Sequence, residues 1–276
     1  MDNPSFESLV APRLPRLNLR DWVNDFRQDL KFRWPPFRAY YRLRAYKYML
    51  YRDREMGLLK FLVDPTRISL DIGANLGLFS FFLSRLSPKV MAFEPNPYPL
   101  RTLMQVADRN VEIFPMAIGD SDGPVRLTIP RSSKGWMSNG ASIEKAIGGA
   151  SHPVDVMCHR IDTLSLAPVG FIKIDVEGHE LAVLQGARET ILRDRPAIFL
   201  ETEYIHIGDR VLDVFRFCAD LGYRGFFLGR NGLSDIALFD IERHQKHRGP
   251  DYVKNFIFLP GASATAVPAA TPTPAA

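Results

Sequence analysis

The stretch SLDIGANLGLFS, residues 69 to 80, decides the fold, because a short apolar strand leads into a glycine-containing turn and then an amphipathic helix. In an open α/β fold this order places the turn's backbone N–H groups and the Asp71 carboxylate at the carboxyl edge of the sheet, where such folds bind ligands. The dinucleotide fingerprint G-x-G-x-x-G is not matched, since Asn75 stands at its second glycine. The turn therefore predicts a ligand site that is not a phosphate cradle.

Short apolar runs alternate with longer amphipathic runs on both sides of this turn. This alternation predicts a parallel sheet covered by helices, an α/β fold. The runs that predict its parallel strands are residues 67–72, 89–95, 111–118, 170–175 and 196–201. Further strands are predicted at residues 124–130 and 153–162, around a Gly/Ser-rich insertion, and at 221–229 and 252–260 on the far edge.

The composition bounds the class of protein. With 276 residues, 46% of them hydrophobic and 24% charged, the chain is long enough for one large domain with a substantial core. Cys158 and Cys218 lie far apart and match no disulfide framework or zinc spacing, which indicates unpaired thiols in a reducing compartment. No apolar run approaches the roughly 20 residues that span a bilayer, and the N-terminus lacks the apolar core of a secretory signal, so we expect a cytoplasmic protein.

The basic character of the chain is confined to its N-terminal segment. Residues 1–60 hold 13 lysine and arginine residues against 7 aspartate and glutamate residues, whereas the remainder holds 22 against 24. Residues 37–63 contain no proline and predict one or two helices. Their cations could meet an anionic substrate, a membrane surface or nucleic acid, or could form only the solvated face of a helix packed on the main domain.

Two carboxylates at neighbouring strand ends predict a cationic, hydroxylated ligand. Asp71 would repel a phosphate but would attract an ammonium group. Glu94 ends the next strand, in AFEPNP, where its two oxygens could accept hydrogen bonds from both hydroxyls of a ribose. S-adenosylmethionine has an ammonium, a sulfonium and a ribose diol without a phosphate, so it is the cofactor that this pair predicts.

Longer stretches show a family resemblance over roughly residues 68–260. DIGANLGLFS, AFEPNP, FIKIDVEGHELAVLQGA and the later PAIFLETE and LGY resemble the FkbM family of S-adenosylmethionine-dependent methyltransferases. The resemblance implies a Rossmann-like class I fold with a seven-stranded, mostly parallel sheet and an antiparallel edge strand, and methyl transfer usually to a hydroxyl. The cofactor-binding residues that it implies are Asp71, Gly73, Ala74, Asn75 and Gly77 in the turn, Glu94 at the ribose, and Pro95, Met116 and Ala117 at the adenine.

This resemblance divides the chain into three expected regions. A basic helical segment would occupy residues 1–65, a class I methyltransferase domain residues 66–260, and a disordered tail residues 261–276. The tail is rich in Ala, Pro and Thr and cannot bury enough surface to offset its ordering entropy. The basic helix and the insertion at 134–151 would cover the acceptor site as a lid.

The run FIKIDVEGHE, residues 171–180, ends a predicted strand with acids that serve different purposes. Glu180 suits the dipole of the helix that follows and can cap its free N–H groups. Asp175, at the strand tip, is predicted to contact the methionine ammonium or the acceptor hydroxyl, and Glu177 to orient the acceptor. His179 is predicted to be a rim or packing residue.

A second group of acids and histidine follows the fifth parallel strand, in FLETEYIHIGD. An alcohol is a weak nucleophile until a base takes its proton, and Glu201 or His206 could be that base. Asp175 and Glu201 could also hold a divalent metal, but the sequence offers no clear third ligand, and no metal site is predicted.

Together these patterns predict an O-methyltransferase that acts on a hydroxyl of a sugar, a glycan or a small secondary metabolite. One alternative is a non-catalytic cofactor-binding or scaffold module, held at an anionic membrane surface by the basic helix. Another is an RNA-directed methyltransferase. Nucleic acid is the less favoured partner, because the predicted fourth strand ends in DVEG and not in the Asp/Asn-Pro-Pro-aromatic motif of base methyltransferases. No motif encodes the acceptor's identity or the oligomeric state.

Overall fold

The computed structural model describes residues 37–51, 53–132, 135–136, 141–143 and 151–261. Its strands are β1 (Ile68–Ile72), β2 (Val90–Phe93), β3 (Val111–Phe114), β4 (Ala117–Ile118), β5 (Gly123–Ser132), β6 (Gly135–Trp136), β7 (Ser151–His159), β8 (Val169–Ile174), β9 (Ala197–Glu201), β10 (Tyr223–Gly229), β11 (Gly232–Asp235) and β12 (Asn255–Pro260). Its α-helices are α1 (Phe37–Tyr51), α2 (Leu59–Leu62), α3 (Leu78–Leu83), α4 (Pro97–Val106), α5 (Glu180–Gly186), α6 (Arg188–Asp194), α7 (Tyr204–Ile207) and α8 (Val211–Asp220). Short 3₁₀ turns cover Arg54–Leu58, Ile161–Thr163, Gly208–Arg210 and Ile236–Leu238, and a π-helical turn covers Glu242–Lys246.

The main sheet has eight strands in the order β11-β10-β12-β9-β8-β1-β2-β3. Strands β3, β2, β1, β8 and β9 are parallel, so their carboxyl ends meet along one edge. β1 and β8 are buried along their whole length, as expected for central strands covered on both faces. Each of the five apolar runs predicted as parallel strands forms one, and the predicted Rossmann-like fold with a mostly parallel central sheet is confirmed.

Two details of the sheet differ from the prediction. β12 lies inside the sheet, antiparallel to both β9 and β10, and not at the far edge. Phe256, Ile257 and Phe258 are consecutive and buried, so β12 is covered on both faces of the sheet. β11 is an eighth strand that pairs antiparallel with β10 and forms the edge. β11 is partly exposed, so its sequence contains no apolar run that would predict a strand.

Helices pack on both faces of this sheet. The helix predicted to follow the FIKIDVEGHE run forms as α5 and α6, which meet at Ala187. Leu184 and Ala187 are both fully buried in the largest core cluster. Phe171 and Phe199 point to the opposite face, where they pack with residues of α2 and α3. The parallel strands are therefore rigid supports for whatever lies at their carboxyl ends.

A smaller sheet of order β4-β7-β5-β6 follows β3. β5 and β7 pair antiparallel along residues 123–130 and 151–158, which confirms the two extra strands predicted around the insertion. A short bridge holds residue 142 against β5. Within the predicted insertion at 134–151, the structure describes residues 135–136, 141–143 and 151, and the lid predicted for the rest lies outside the described residues.

The basic helix α1 packs on the domain through one face. Tyr41 and Ala45 are buried there, and the Tyr41 hydroxyl donates a hydrogen bond to the Leu76 carbonyl at 2.9 Å. The Tyr41 ring also meets the Phe81 ring edge-on, with centroids 6.1 Å apart. The predicted helices over 37–63 are thus present, and α1 lies beside the turn after β1.

The three predicted regions remain predictions. Residues 1–36 of the expected N-terminal segment and residues 262–276 of the expected tail lie outside the described part of the chain. Among the helices that the structure describes, none combines the length and the apolar character needed to cross a bilayer.

Candidate active site

The turn after β1 bends through three residues with positive φ angles. These are Gly73 at 73°, Asn75 at 50° and Gly77 at 82°. A side chain has no room at Gly73, because an added Cβ would lie 1.8 Å from the Asp175 carbonyl oxygen at the end of β8. Glycine therefore supplies both the left-handed conformation and the close approach of the turn to the neighbouring strand.

A pocket opens at the carboxyl ends of β1, β2, β3 and β8 and encloses about 610 Å³, including its open mouth. Open α/β folds bind small molecules and cofactors in a crevice at this edge of the sheet. The predicted site residues that line it are Gly73, Asn75, Glu94, Pro95, Met116, Ala117, Asp175 and Glu177. The predicted residues that do not line it are Asp71, Ala74, Gly77, Glu201 and His206. The small sheet contributes Leu127, Ala141 and Ile143 as an apolar wall.

Glu94 is a buried carboxylate held on both sides by the backbone. Its Oε2 accepts a hydrogen bond from the Asn75 N–H and its Oε1 from the Asn96 N–H, both at 2.7 Å. Burial raises the pKa of Glu94 to about 7, although these two donors and Lys173 favour the charged form. Because each carboxylate oxygen has a second lone pair, Glu94 can still accept two hydrogen bonds from a ligand.

Asp71 lies fully buried beneath the turn and not in the pocket. Its Oδ2 accepts a 2.6 Å hydrogen bond from the Ser80 hydroxyl, and its Oδ1 lies 3.4 Å from Lys173 Nζ. Lys173 also donates to the Gly73 carbonyl at 2.6 Å and lies 3.6 Å from Asp175 Oδ2. Burial opposes the charged ammonium, but Asp71 and Asp175 outweigh it and raise the pKa of Lys173. The negative charge of Asp71 is therefore balanced by Lys173.

Lys173 was not among the predicted site residues. Its signal is a lysine inside the apolar run FIKI, at a position where both faces of the strand are buried. Lysine is almost never fully buried unless it is paired with an acid. The motif could therefore have indicated an ion pair beneath the turn.

Asp175 and Glu177 bring two carboxylates to one wall of the pocket. Burial raises the pKa of Asp175, Lys173 opposes that rise, and the neighbouring Glu177 adds to it. The wall is therefore acidic, and it favours a positively charged ligand.

Glu177 is paired with His206 behind it. His206 Nε2 lies 2.9 Å from Glu177 Oε2 and 3.9 Å from Glu203 Oε1. The hydrogen bond with Glu177 raises the pKa of His206, and burial only partly opposes this effect. A carboxylate that faces a pocket with an imidazole on its far side can accept a proton from a ligand and share the resulting charge.

Glu201 belongs to a second ion-pair group beside the pocket. Lys254 Nζ lies 2.9 Å from Glu201 Oε2 and 3.1 Å from the buried Asp53 Oδ1. Burial raises the pKa of Glu201 well above its usual range, Asp175 adds to the rise, and Lys254 opposes it. Asp53 and Lys254 were not predicted as site residues, and they are some two hundred residues apart in the chain.

The two remaining residues of the acidic run have packing roles. Glu180 Oε1 accepts a 2.8 Å hydrogen bond from the Gly178 N–H, in the turn that precedes α5, so the predicted capping of the helix's own N–H groups stays a prediction. Burial raises the pKa of Glu180 to about 7. His179 lines the pocket and packs so closely on Gly119 that a Cβ there would lie 2.8 Å from its Nε2.

Across the described ranges, no group of three or more histidine, cysteine, aspartate or glutamate residues is arranged to hold a metal ion.

Comparison with known sequences identifies the family. Residues 71–224 match the Methyltransferase FkbM domain, which is more than half of the chain. The chain belongs to the FkbM methyltransferase family. S-adenosylmethionine is therefore the cofactor of this FkbM methyltransferase, as the strand-end carboxylates predicted.

Three curated relatives of this FkbM methyltransferase are named as different methyltransferases. It is 29% identical over 167 residues to the 2-O-methyltransferase NoeI of Sinorhizobium fredii, spanning 53% of this chain and 67% of the relative. It is 27% identical over 181 residues to the 31-O-demethyl-FK506 methyltransferase FkbM of Streptomyces tacrolimicus, spanning 54% and 68%. Its identity to the hexuronic acid methyltransferase AglP of Haloferax volcanii is 26% over 136 residues, spanning 48% and 56%.

A solved FkbM methyltransferase from Methylobacillus flagellatus is also similar, with 18% sequence identity and a TM-score of 0.47. The match covers 71% of this chain and 44% of the other.

The chemistry of the pocket fits S-adenosylmethionine. The cofactor is positive at its sulfonium and ammonium, and the wall presents carboxylates that are only partly balanced by Lys173 and His206. Its ribose diol needs two acceptors, and Glu94 retains that capacity while held at both oxygens.

Proposed function

We propose that this FkbM methyltransferase transfers a methyl group to a hydroxyl oxygen of a sugar, a glycan or a small secondary metabolite. The observation that carries the proposal is that Glu177, which lines the pocket, is paired at 2.9 Å with His206 behind it. A hydroxyl needs a base to become a good nucleophile, and this pair supplies one beside an acidic cofactor site.

For the cofactor, we assign the residues at the ends of the first parallel strands. Glu94 would accept hydrogen bonds from the ribose hydroxyls, and Gly73 with Asn75 would form the floor of the turn. Met116 and Ala117, both buried, would border the adenine. The predicted Pro95 would lie beside the ribose and adenine. Asp71, Ala74 and Gly77 would act indirectly by shaping the turn.

Asp175 is assigned to the methionine ammonium. It lines the pocket next to Gly73 and is separated from Asp71 by the Lys173 ammonium. The rise in the Asp175 pKa that burial causes would be reversed by a second cation in contact with it. Binding of the cofactor would thus stabilise the charged carboxylate.

Glu177 and His206 are assigned to the acceptor. When bound, S-adenosylmethionine supplies an electrophilic methyl group on its sulfonium. Glu177 would orient the acceptor hydroxyl and take its proton as the oxygen attacks, and His206 would stabilise the pair through its Nε2 contact. Glu201 would hold Lys254 and add to the negative potential, without contacting the acceptor.

The acceptor class rests on the relatives together with the pocket. Two relatives carry O-methyl transfer in their names, and one is named for hexuronic acid. The apolar lining residues Leu127, Ala141 and Ile143 would contact an apolar part of such a molecule.

The expected cytoplasmic location remains part of this proposal. Both cysteines are buried free thiols, and burial raises the pKa of Cys158 to about 11, which keeps it protonated.

The experiment incubates the protein with extract fractions and S-adenosylmethionine labelled in its methyl group, and mass spectrometry locates the label. We expect a methyl ether on a carbohydrate or small molecule, lost in Glu177→Gln. Label on RNA would favour the RNA-directed alternative. Cofactor binding without labelled product in any fraction would favour the non-catalytic module.

A further inference from the structure

Helix α1 has a second apolar stripe that the domain does not cover. Its inner face holds the buried Tyr41 and Ala45. Leu43 is two positions beyond Tyr41, about 200° around the helix, and Leu50 lies almost two turns further along the same stripe. These leucines are 54% and 59% exposed. The helix is therefore apolar on two opposite faces, of which one is packed.

Tyrosines and cations flank this outer stripe. Tyr40 and Tyr51 are 62% and 80% exposed. Arg42, Arg44 and Lys47 are exposed as well, and at about 100° per residue they fall on the two sides of the leucines. α1 contains no acidic residue, so these cations have no counter-charge on their own helix.

We propose that the outer face of α1 docks the protein onto an anionic membrane surface. The leucines would enter the boundary between headgroups and acyl chains, and the tyrosines would lie at the polar interface. The arginines and lysine would extend to lipid phosphates while their aliphatic stems remain against the apolar stripe. The charge of the helix, four cations and no anion in 15 residues, matches such a surface and favours lipid over a neutral apolar partner.

Docking by this face would orient the cofactor site. The inner face of α1 is tied to the cofactor turn by the Tyr41 hydroxyl, which donates to the Leu76 carbonyl, and Arg38 donates to the Gln105 carbonyl at the end of α4. The turn would therefore lie about one helix diameter, roughly 10 Å, from the lipid headgroups. Acceptors at a membrane surface would be within reach of the protein without a spanning helix.

The test measures flotation of the full chain with vesicles. We expect binding to phosphatidylcholine vesicles that contain about one third phosphatidylserine, little binding to pure phosphatidylcholine, and release between about 0.1 M and about 0.5 M salt. Leu43→Ser with Leu50→Ser should weaken binding about tenfold or more, and Arg42→Gln, Arg44→Gln with Lys47→Gln should do the same.

Matched variants control for exposure and charge. Leu233→Ser with Leu238→Ser changes two leucines that are 53% and 69% exposed at the other end of the sheet, and should leave flotation unaltered. Arg126→Gln, Arg188→Gln with Arg216→Gln removes the same charge elsewhere and should lose less than about twofold. Circular dichroism and cofactor affinity would verify that every variant is folded.

Three outcomes would overturn the proposal. The first is that the wild type does not bind anionic vesicles. The second is that the matched controls lose as much vesicle binding as the α1 variants. The third is that the leucine variants change self-association or RNA binding and leave vesicle binding unaltered. Flotation needs no turnover, so it separates this proposal from the proposed methyl transfer.

Discussion

The imidazole of His206 lies 2.9 Å from the carboxylate of Glu177, although the two residues belong to different segments, the turn after β8 and helix α7. Glu177 has a φ angle of 52°, a left-handed conformation that costs a residue with a side chain about 1 kcal/mol or more. Because Gly178 follows with φ at 108°, the chain turns sharply enough to present Glu177 to the pocket and to His206 together.

Replacing Glu177 by Gln should remove the proposed base. Turnover should fall by about 100-fold or more, since an amide cannot take the acceptor proton, while cofactor affinity changes little. Initial rates and calorimetry measure the two quantities. Glu189→Gln, an exposed acid on α6, is the matched control.

The same pair predicts a pH dependence. Because Glu177 raises the pKa of His206, the pair loses its proton above the ordinary histidine value of about 6.5, and turnover should rise with pH through that higher value. Nuclear magnetic resonance titration of His206 should show a lower pKa in Glu177→Gln. An unchanged titration with wild-type turnover would refute the pairing as the source of the base.

Cofactor affinity should depend on the charge of Glu94. Its pKa of about 7 means that the carboxylate gains its charge between about pH 6 and pH 8, so binding of S-adenosylmethionine should tighten over that interval. Glu94→Gln preserves the shape of the side chain, but its amide NH₂ group would face the backbone N–H of Asn75 or Asn96, and two donors cannot form a hydrogen bond. This variant should therefore bind the cofactor more weakly, and its affinity should depend less on pH. Equal affinities for the two proteins would contradict the ribose assignment.

The buried Lys173 should matter more for stability than for chemistry. Lys173→Met leaves Asp71 buried without a cation and should cost about 3 to 5 kcal/mol of unfolding free energy, measured by urea denaturation. Lys89→Met, which breaks the exposed 2.8 Å pair with Glu112, should cost about 1 kcal/mol or less. Adding Asp71→Asn to Lys173→Met should recover part of the loss. Equal losses at Lys173 and Lys89 would mean that the buried pair is not needed.

Gly73→Ala should damage the cofactor turn beyond the cost of its backbone angle. The new Cβ would clash with the Asp175 carbonyl, so both stability and cofactor affinity should fall. Gly208→Ala is matched, since Gly208 has a φ of 61° but no atom within 4 Å of its added Cβ. That control should lose only about 1 to 3 kcal/mol, the cost of holding a side chain at φ 61° and ψ −142°. Similar behaviour of the two variants would show that the close approach to β8 is unimportant.

Much of the fold was readable because its signals are local. Each central strand is a short apolar run, and the glycines at 73 and 77 predict the turn between them. The place of β12 was not readable, since an apolar strand fits the middle of a sheet as well as its edge. Strand order depends on pairing across the whole chain, which periodicity does not encode.

Some residues of the candidate site could also be predicted from the sequence, and others could not. Glu94, Asp175 and Glu177 were predicted from their positions at strand ends, and the structure brings all three to one pocket. Asp71 was predicted to meet a ligand cation but meets Lys173, because a buried charge takes the nearest available partner. The Lys254 pairs could not be foreseen, since Asp53 and Glu201 approach it only through the tertiary fold.

The position of β12 also sets the order in which the protein can be completed during synthesis. β12 is made after β10, yet it lies between β9 and β10, so the sheet cannot close until the ribosome has passed residue 260. Until then the apolar edge of β9 remains available for pairing with other chains. Lys254, immediately before β12, reaches Glu201 in the same step. Synthesis of β12 therefore covers the edge of β9 and forms the Lys254–Glu201 ion pair in the same step. A nascent chain that stalls just before β12 is most prone to aggregation.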